Sequence, residues 1–335
     1  MRSSSASPTT SARRWWAAPS ARSSASPRPP PSKRPALQEL RFDGRVAVVT
    51  GAGRGIGRAY AVLLAERGAS VVVNDLGGSM EGTGADAGPA SDVAAEITSA
   101  GGAALADAHD VADAAGATAL VEAAIQGFGR VDIVINNAGI MRWAGLPELD
   151  VDDLSRHLAV HTIGSFNVTR AAWPHLLEQE YGRVVMTTSS GVFGLKNNTS
   201  YATAKAAVIG LTRSLAVAGS SCGIRVNLIA PAAMTRMAGG GEAPDMAPEL
   251  VAPMAAYLAH ESCPVNGDMY AAGAGRFARI FIATTPGYVH PGPDVTIEDV
   301  AVHWAVINDE AGCWVPADLR DWSARFLEHL PPSDG

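Results

Sequence analysis

The sequence predicts a doubly wound α/β fold: three layers built on one parallel sheet of about seven strands, with a C-terminal extension. Three observations predict it. Short apolar runs alternate with segments whose apolar residues recur at helical spacing. Glycines stand where the first run passes into the first helix. No apolar run reaches the roughly 18 residues of a membrane-spanning helix, so none is expected.

Arg45–Thr50 reads as a buried strand, Gly55–Arg67 as a helix stopping at Gly68, and Ser70–Asn74 as the second strand. A right-handed crossover would pair these strands in parallel. Further strands are expected near Ala103–His109, Val131–Asn136, Arg183–Thr188, Ile224–Ile229 and Met269–Ala272. Helices between them include Ala112–Phe128, Asp152–Glu180 with a bend at Pro174, and Ser200–Gly219. Residues 39–275 thus form one domain, and residues 276–335 an extension packed on or beside it.

Residues 1–38 hold seven basic residues and no acid, leaving 19 basic against 33 acidic residues in the rest. An acidic body argues against general nucleic-acid binding. The leader is rich in Ser, Ala, Pro and Arg, cannot bury a core and reads as disordered. Its composition is that of an organellar transit peptide, yet Pro27–Pro31 interrupt any amphipathic helix. A start codon placed too far upstream is the preferred explanation. Cys222, Cys263 and Cys313 are unpatterned, which suggests neither a disulfide framework nor a metal site and fits a reducing, cytoplasmic setting.

The first turn carries chemistry. Gly51, Gly55 and Gly57 follow a strand and open a helix, with Arg54 and Ile56 among them. Glycine lets the backbone approach a diphosphate, whose charge then meets the helix N-terminus, as in a Rossmann-type site. No Gly-Lys-Ser/Thr follows, so a triphosphate loop is disfavoured. Asp75 ends the second strand, where a carboxylate accepts bonds from the adenosine ribose and repels a 2′-phosphate. NAD is therefore expected rather than NADP. "NNAG" (Asn136–Gly139) and "TTSSG" (Thr187–Gly191) end two later strands on the same sheet edge. Tyr201 and Lys205 lie four apart at a helix start, on one face. Alone, that pair reads as a snorkelling contact on a core helix. Converging with three strand ends on one crevice, it reads as a proton-transfer device.

Together, "TGAGRGIG", "NNAG", the serine-containing strand end and "YATAK" resemble the short-chain dehydrogenase/reductase family. The likeness extends, through "VVVNDLGG", "GSFNVTRAAW" and "HESCPVNGDMY", to the (3R)-hydroxyacyl-CoA dehydrogenase part of peroxisomal multifunctional enzymes. It implies that Tyr201 is the general acid/base, that Lys205 lowers the phenol pKa and binds the nicotinamide ribose, and that Ser189 holds the substrate oxygen. The family's usual count back from the tyrosine lands on Thr188, whereas alignment along the strand gives Ser189; Thr188 and Ser190 remain alternatives. His161 stands where most relatives carry an asparagine of the proton relay, so a relay or a structural role is open. The resemblance also implies adenine contacts from Asp110 and Val111, and ribose and nicotinamide contacts from Asn137, Ala138 and Gly139. Met234–Leu250 would form a mobile lid over the substrate, with Arg236, Arg276 and Arg279 as candidates for CoA phosphates. The expected activity is NAD-dependent interconversion of a secondary alcohol and a ketone, with a (3R)-3-hydroxyacyl-CoA first. A steroid or other alcohol, a 3-oxoacyl-carrier-protein reductase, or a non-catalytic NAD sensor are the alternatives. A homodimer or homotetramer is expected.

Overall fold

The computed structural model describes residues 39–239, 241 and 243–330; the leader lies outside the described residues. The chain folds as β1 (Val46–Thr50), α1 (Gly55–Glu66), β2 (Ser70–Asn74), α2 (Gly88–Ser99), β3 (Ala103–Asp107), α3 (Ala114–Phe128) and β4 (Ile133–Asn136). Then come α4 (Val151–His157), a π turn (Leu158–Ile163), α5 (Gly164–Glu178), β5 (Gly182–Thr187), α6 (Thr199–Gly219) and β6 (Ile224–Pro231). They are followed by α7 (Ala252–Ala259), β7 (Met269–Gly273) and β8 (Arg276–Ile280).

One eight-stranded sheet runs β3-β2-β1-β4-β5-β6-β7-β8. All pairs from β3 to β7 are parallel. β1, β4 and β5 are buried along their whole length. Their sequences VAVVT, IVIN and GRVVMT accordingly lack a polar alternation, as befits strands covered on both faces. α1, α2 and α7 pack with one another over one face, and α3, α5 and α6 lie over the other. Each fully buried valine or leucine contributes roughly 1.5–3 kcal/mol. Strand order reverses between β1 and β4, which opens a crevice at their carboxyl ends.

The expected sheet of about seven strands is present with one more at its edge, and one expected helix is corrected. The sheet has an eighth strand, because Arg276–Ile280 adds to the β7 edge across the Ala274-Gly275 turn, both residues having positive φ. The segment expected as one helix over Asp152–Glu180 breaks at the π turn, while Pro174 sits inside α5. Hydrophobic spacing is nearly the same on both sides of such a turn, so the sequence pattern conceals it.

The described residues up to Ala278 form one compact unit, and those from Arg279 onward a second. In the second unit no described residue is buried. It contains α8 (Ile297–Val302), α9 (Trp304–Ile307) and α10 (Leu319–Phe326). A capping box of Thr296 and Asp299 starts α8, Tyr288 stacks on His303 at 3.6 Å, and Arg325 lies over Trp314 at 4.3 Å.

Candidate active site

The crevice holds a dinucleotide-shaped cleft built on the first turn. Gly51 and Gly55 have φ of +63° and +54°, a region that side chains rarely adopt. A Cβ on Gly57 would strike the Gly51 carbonyl. Thr50 Oγ1 accepts the amides of Asn137 and Ala138, each at 3.0 Å, and Asn137 Nδ2 donates to the Thr50 and Gly51 carbonyls. The ends of β1 and β4 are thereby stitched together. Asp75 accepts the Gly53 amide at 2.9 Å and the Gly77 amide at 2.7 Å, one on each carboxylate oxygen. Each oxygen keeps a lone pair for a further donor.

Eleven of the twelve residues expected to bind the cofactor line this cleft: Gly51, Arg54, Gly55, Ile56 and Gly57 on the turn, Asp75 just after β2, Asp110 and Val111 after β3, and Asn137, Ala138 and Gly139 after β4. The open first turn of α1 and the cramped glycine backbone suit a diphosphate, and the Asp75 carboxylate suits ribose hydroxyls. The glycine-rich insert after β2 also reaches this cleft, a place that sequence reasoning did not give it. Met80 lines the cleft and its carbonyl accepts the Met141 amide at 2.8 Å, while Gly82 lies against Ile140.

A second pocket adjoins the first, sharing Ile56, Asn137, Gly139, Thr235 and Met237. Ser189, Tyr201, Lys205 and His161 all line it, with Met141, Trp143 and Leu195 as apolar wall. Lys205, also expected to serve the cofactor, sits here and not in the first cleft. Thr188 is fully buried, and its hydroxyl donates to the Lys205 carbonyl at 2.8 Å. That leaves Ser189 and Ser190 facing the pocket. Ser189 caps the short turn after β5, accepting the Gly191 amide at 3.0 Å.

Burial governs the electrostatics. It raises the Tyr201 phenol above its usual range, and a hydrogen bond with Ser189 pulls it back part of the way. Burial lowers Lys205 to about 7. Its Nζ donates to the Thr187 carbonyl at 2.8 Å and stands 5.7 Å from the Tyr201 ring centre. His161 is held well below the ordinary histidine value, first by burial and then by the Lys205 charge. Its Nε2 lies 2.9 Å from the Ile140 carbonyl and 3.2 Å from the Ile140 amide. Both contacts fall on Nε2, which the Ile140 amide reaches as donor. Nδ1, Thr187 Oγ1 and Asn198 Oδ1 are buried on residues lining this pocket and have no partner in the protein.

Of the arginines expected for phosphates, Arg236 lines the first cleft and not the second pocket. Arg276 is exposed on β8, and Arg279 begins the second unit. Within the expected lid, the Met234 amide donates to the Met246 carbonyl at 2.7 Å. No described helix is long and apolar enough to cross a membrane.

Comparison with known proteins agrees with this geometry. Residues 45–243 match the short chain dehydrogenase family. The chain is 45% identical over 301 residues to peroxisomal multifunctional enzyme type 2 of Drosophila melanogaster, covering 87% of this chain and 50% of that one. It therefore spans half the length of that relative. It is 44% identical over 273 residues to a short-chain type dehydrogenase/reductase of Mycobacterium tuberculosis, covering 80% of this chain and 95% of that one. The solved full-length Drosophila enzyme superposes with a TM-score of 0.72 at 36% identity, over 86% of this chain and 50% of that one. A 7α-hydroxysteroid dehydrogenase complexed with NADH and a 7-oxo bile acid superposes with a TM-score of 0.64 at 31% identity, over 70% and 95%. On its fold, its site and these likenesses, the chain belongs to the short-chain dehydrogenase/reductase family and is an oxidoreductase acting on CH–OH groups.

Proposed function

We propose that this protein uses NAD to interconvert a (3R)-3-hydroxyacyl-CoA and its 3-oxo ester. The observation that carries the proposal is the meeting of an apolar-walled pocket bearing Ser189, Tyr201 and Lys205 with a dinucleotide cleft bearing Asp75. The 45% identity to peroxisomal multifunctional enzyme type 2 supports the acyl-CoA substrate. Bound NAD supplies the hydride acceptor. Ser189 donates a hydrogen bond to the substrate oxygen and fixes it beside Tyr201. The Tyr201 phenolate removes the hydroxyl proton as the C–H electron pair leaves and the C=O bond forms. Lys205, in its charged form, favours that phenolate. His161 stays neutral and lines the same pocket, where its Nδ1 has no partner in the protein. In the reductive direction Tyr201 returns the proton. Asp75 holds the adenosine ribose and disfavours the 2′-phosphate of NADP.

Arg236, Arg276 and Arg279 are the candidates for CoA phosphates. A homodimer or homotetramer is also proposed, as is a cytoplasmic location, which differs from the peroxisomal names of several relatives. The test is a set of initial rates with NAD on both epimers of a 3-hydroxyacyl-CoA, a truncated thioester and a steroid alcohol. The (3R)-CoA ester should give the highest kcat/KM, since binding energy from the remote CoA arm adds to reactivity. Its advantage over the truncated analogue should shrink with salt. A steroid winning by kcat/KM would move the reading to the hydroxysteroid dehydrogenases.

A further inference from the structure

Asp153 is a buried carboxylate, 4% exposed, that the chemistry above does not use. Its Oδ2 accepts the hydroxyl of Ser200, the residue just before Tyr201, at 2.8 Å. Its Oδ1 lies 3.4 Å from Arg142 Nη1, beside the Met141 and Trp143 wall of the pocket. Its backbone carbonyl accepts His157 Nδ1 at 2.9 Å, and His157 Nε2 in turn accepts the Arg142 amide at 3.3 Å. The His157 ring, fully buried, lies nearly parallel to His161 with centroids 6.0 Å apart.

Three separate pieces of the site therefore converge on this one side chain and its neighbour: the pocket wall, the π turn and the first turn of α6. Asn198, the N-cap of α6, makes no capping bond, so the Ser200–Asp153 bond takes up that role at this end of the helix. A carboxylate drawn out of water is expensive, and Arg142, its ion-pair partner, is half exposed. The Ser200 hydroxyl and the Arg142 guanidinium offset that cost in this arrangement.

We infer that Asp153 is a positioning residue for proton transfer at Tyr201, setting the first turn of α6 through Ser200 and the pocket wall through Arg142. This rests on the reading of Tyr201 as the acid/base. The mechanism is geometric: misplacement by about 1 Å can cost on the order of 10²-fold in rate. The dinucleotide turn and Asp75 share no bond with Asp153, so cofactor affinity stands apart from its role.

The experiment compares Asp153→Asn, Ser200→Ala, Ser200→Thr and the double variant Asp153→Asn/Ser200→Ala, with Tyr201→Phe as reference. kcat should fall about tenfold or more in Asp153→Asn and Ser200→Ala. NADH affinity by fluorescence titration should stay within about twofold, and Ser200→Thr should restore kcat by keeping the hydroxyl. The double variant should be no worse than the poorer single one, as for two halves of one contact. Amide exchange in the first turn of α6 should quicken in Asp153→Asn and Ser200→Ala and stay near wild type in Ser200→Thr. Should Asp153→Asn not fold, Ser200→Ala and Ser200→Thr decide alone. Wild-type kcat in folded Ser200→Ala overturns the inference, as does equal loss of kcat and NADH affinity without rescue by threonine. An active Tyr201→Phe would instead overturn the acid/base reading on which it rests.

Discussion

His161 and Tyr201 meet edge to face, their ring centroids 5.3 Å apart and their planes at 90°. The contact is possible because Gly139 has no side chain: a Cβ there would stand 2.5 Å from His161 Cε1. His161 is thus wedged between a glycine of the dinucleotide cleft and the tyrosine of the second pocket. Because burial keeps it neutral, it has no ionisation to contribute near neutral pH. His161→Asn should reduce turnover while leaving the inflection points of the pH–rate profile between pH 6 and 9 unmoved. A shifted acid limb would show that the imidazole does ionise there.

Gly139→Ala should displace the imidazole or the β4 turn, at an overpacking cost of about 1–3 kcal/mol. Denaturant unfolding would read the stability, and a slower turnover should accompany it. An unchanged midpoint would mean that His161 has room to retreat.

Tyr201→Phe keeps the ring and removes the proton, so kcat should drop about 10²–10⁴-fold with NADH binding intact. Lys205→Ala should lower both kcat and NADH affinity. Steady-state rates with fluorescence titration separate the two effects.

Lys205 also carries a pH signature in stability. Its folded pKa of about 7 lies below the ordinary lysine value of 10.5, so burial penalises the charged form. The penalty is fully present below pH 7 and is relieved as pH rises from 7 towards 10.5, where the folded state has shed a proton that the unfolded state keeps. Lys205→Met should therefore stabilise the protein most at pH 6, with a gain that narrows by pH 9. Thermal melts at the two pH values test this, and a pH-independent gain would contradict it.

Asp75 bonds the Gly53 and Gly77 amides and still presents its carboxylate to the cleft. Wild-type kcat/KM should favour NAD, and Asp75→Ala or Asp75→Ser should narrow the gap to NADP. Equal efficiency of the wild type with both cofactors would refute the role.

The dinucleotide cleft was legible because its parts are local. Gly51, Gly55 and Gly57 announce a turn by type and spacing, and Asp75 falls at the end of the next strand. Tyr201 and Lys205 were legible for the same reason, one helical turn apart. The Asp153–Ser200 bond joins residues 47 apart in sequence, and an aspartate in a helix's first turn reads as a solvated cap. Met80 likewise reaches Met141 only through the folded insert. Thr188, Ser189 and Ser190 could not be separated by counting, since strand alternation decides which hydroxyl turns inward and the loop beyond sets the count.

The π turn makes this protein unusually sensitive to length at one place. Such a turn holds an extra residue, so losing any one of Leu158–Ile163 would let α4 and α5 join as a regular, well-formed helix. The flanking helices would keep nearly their present faces, because the wide turn absorbs its extra residue within itself instead of passing a rotation of about 100° along the chain. The change would fall on the turn's own side chains, above all on His161, which the widened backbone holds against Ile140 and Tyr201. A deletion that leaves helix content and the Asp153–Ser200 bond intact would still strip the pocket of its imidazole wall, so length changes in the gene should be tolerated in surface loops and purged from these six codons.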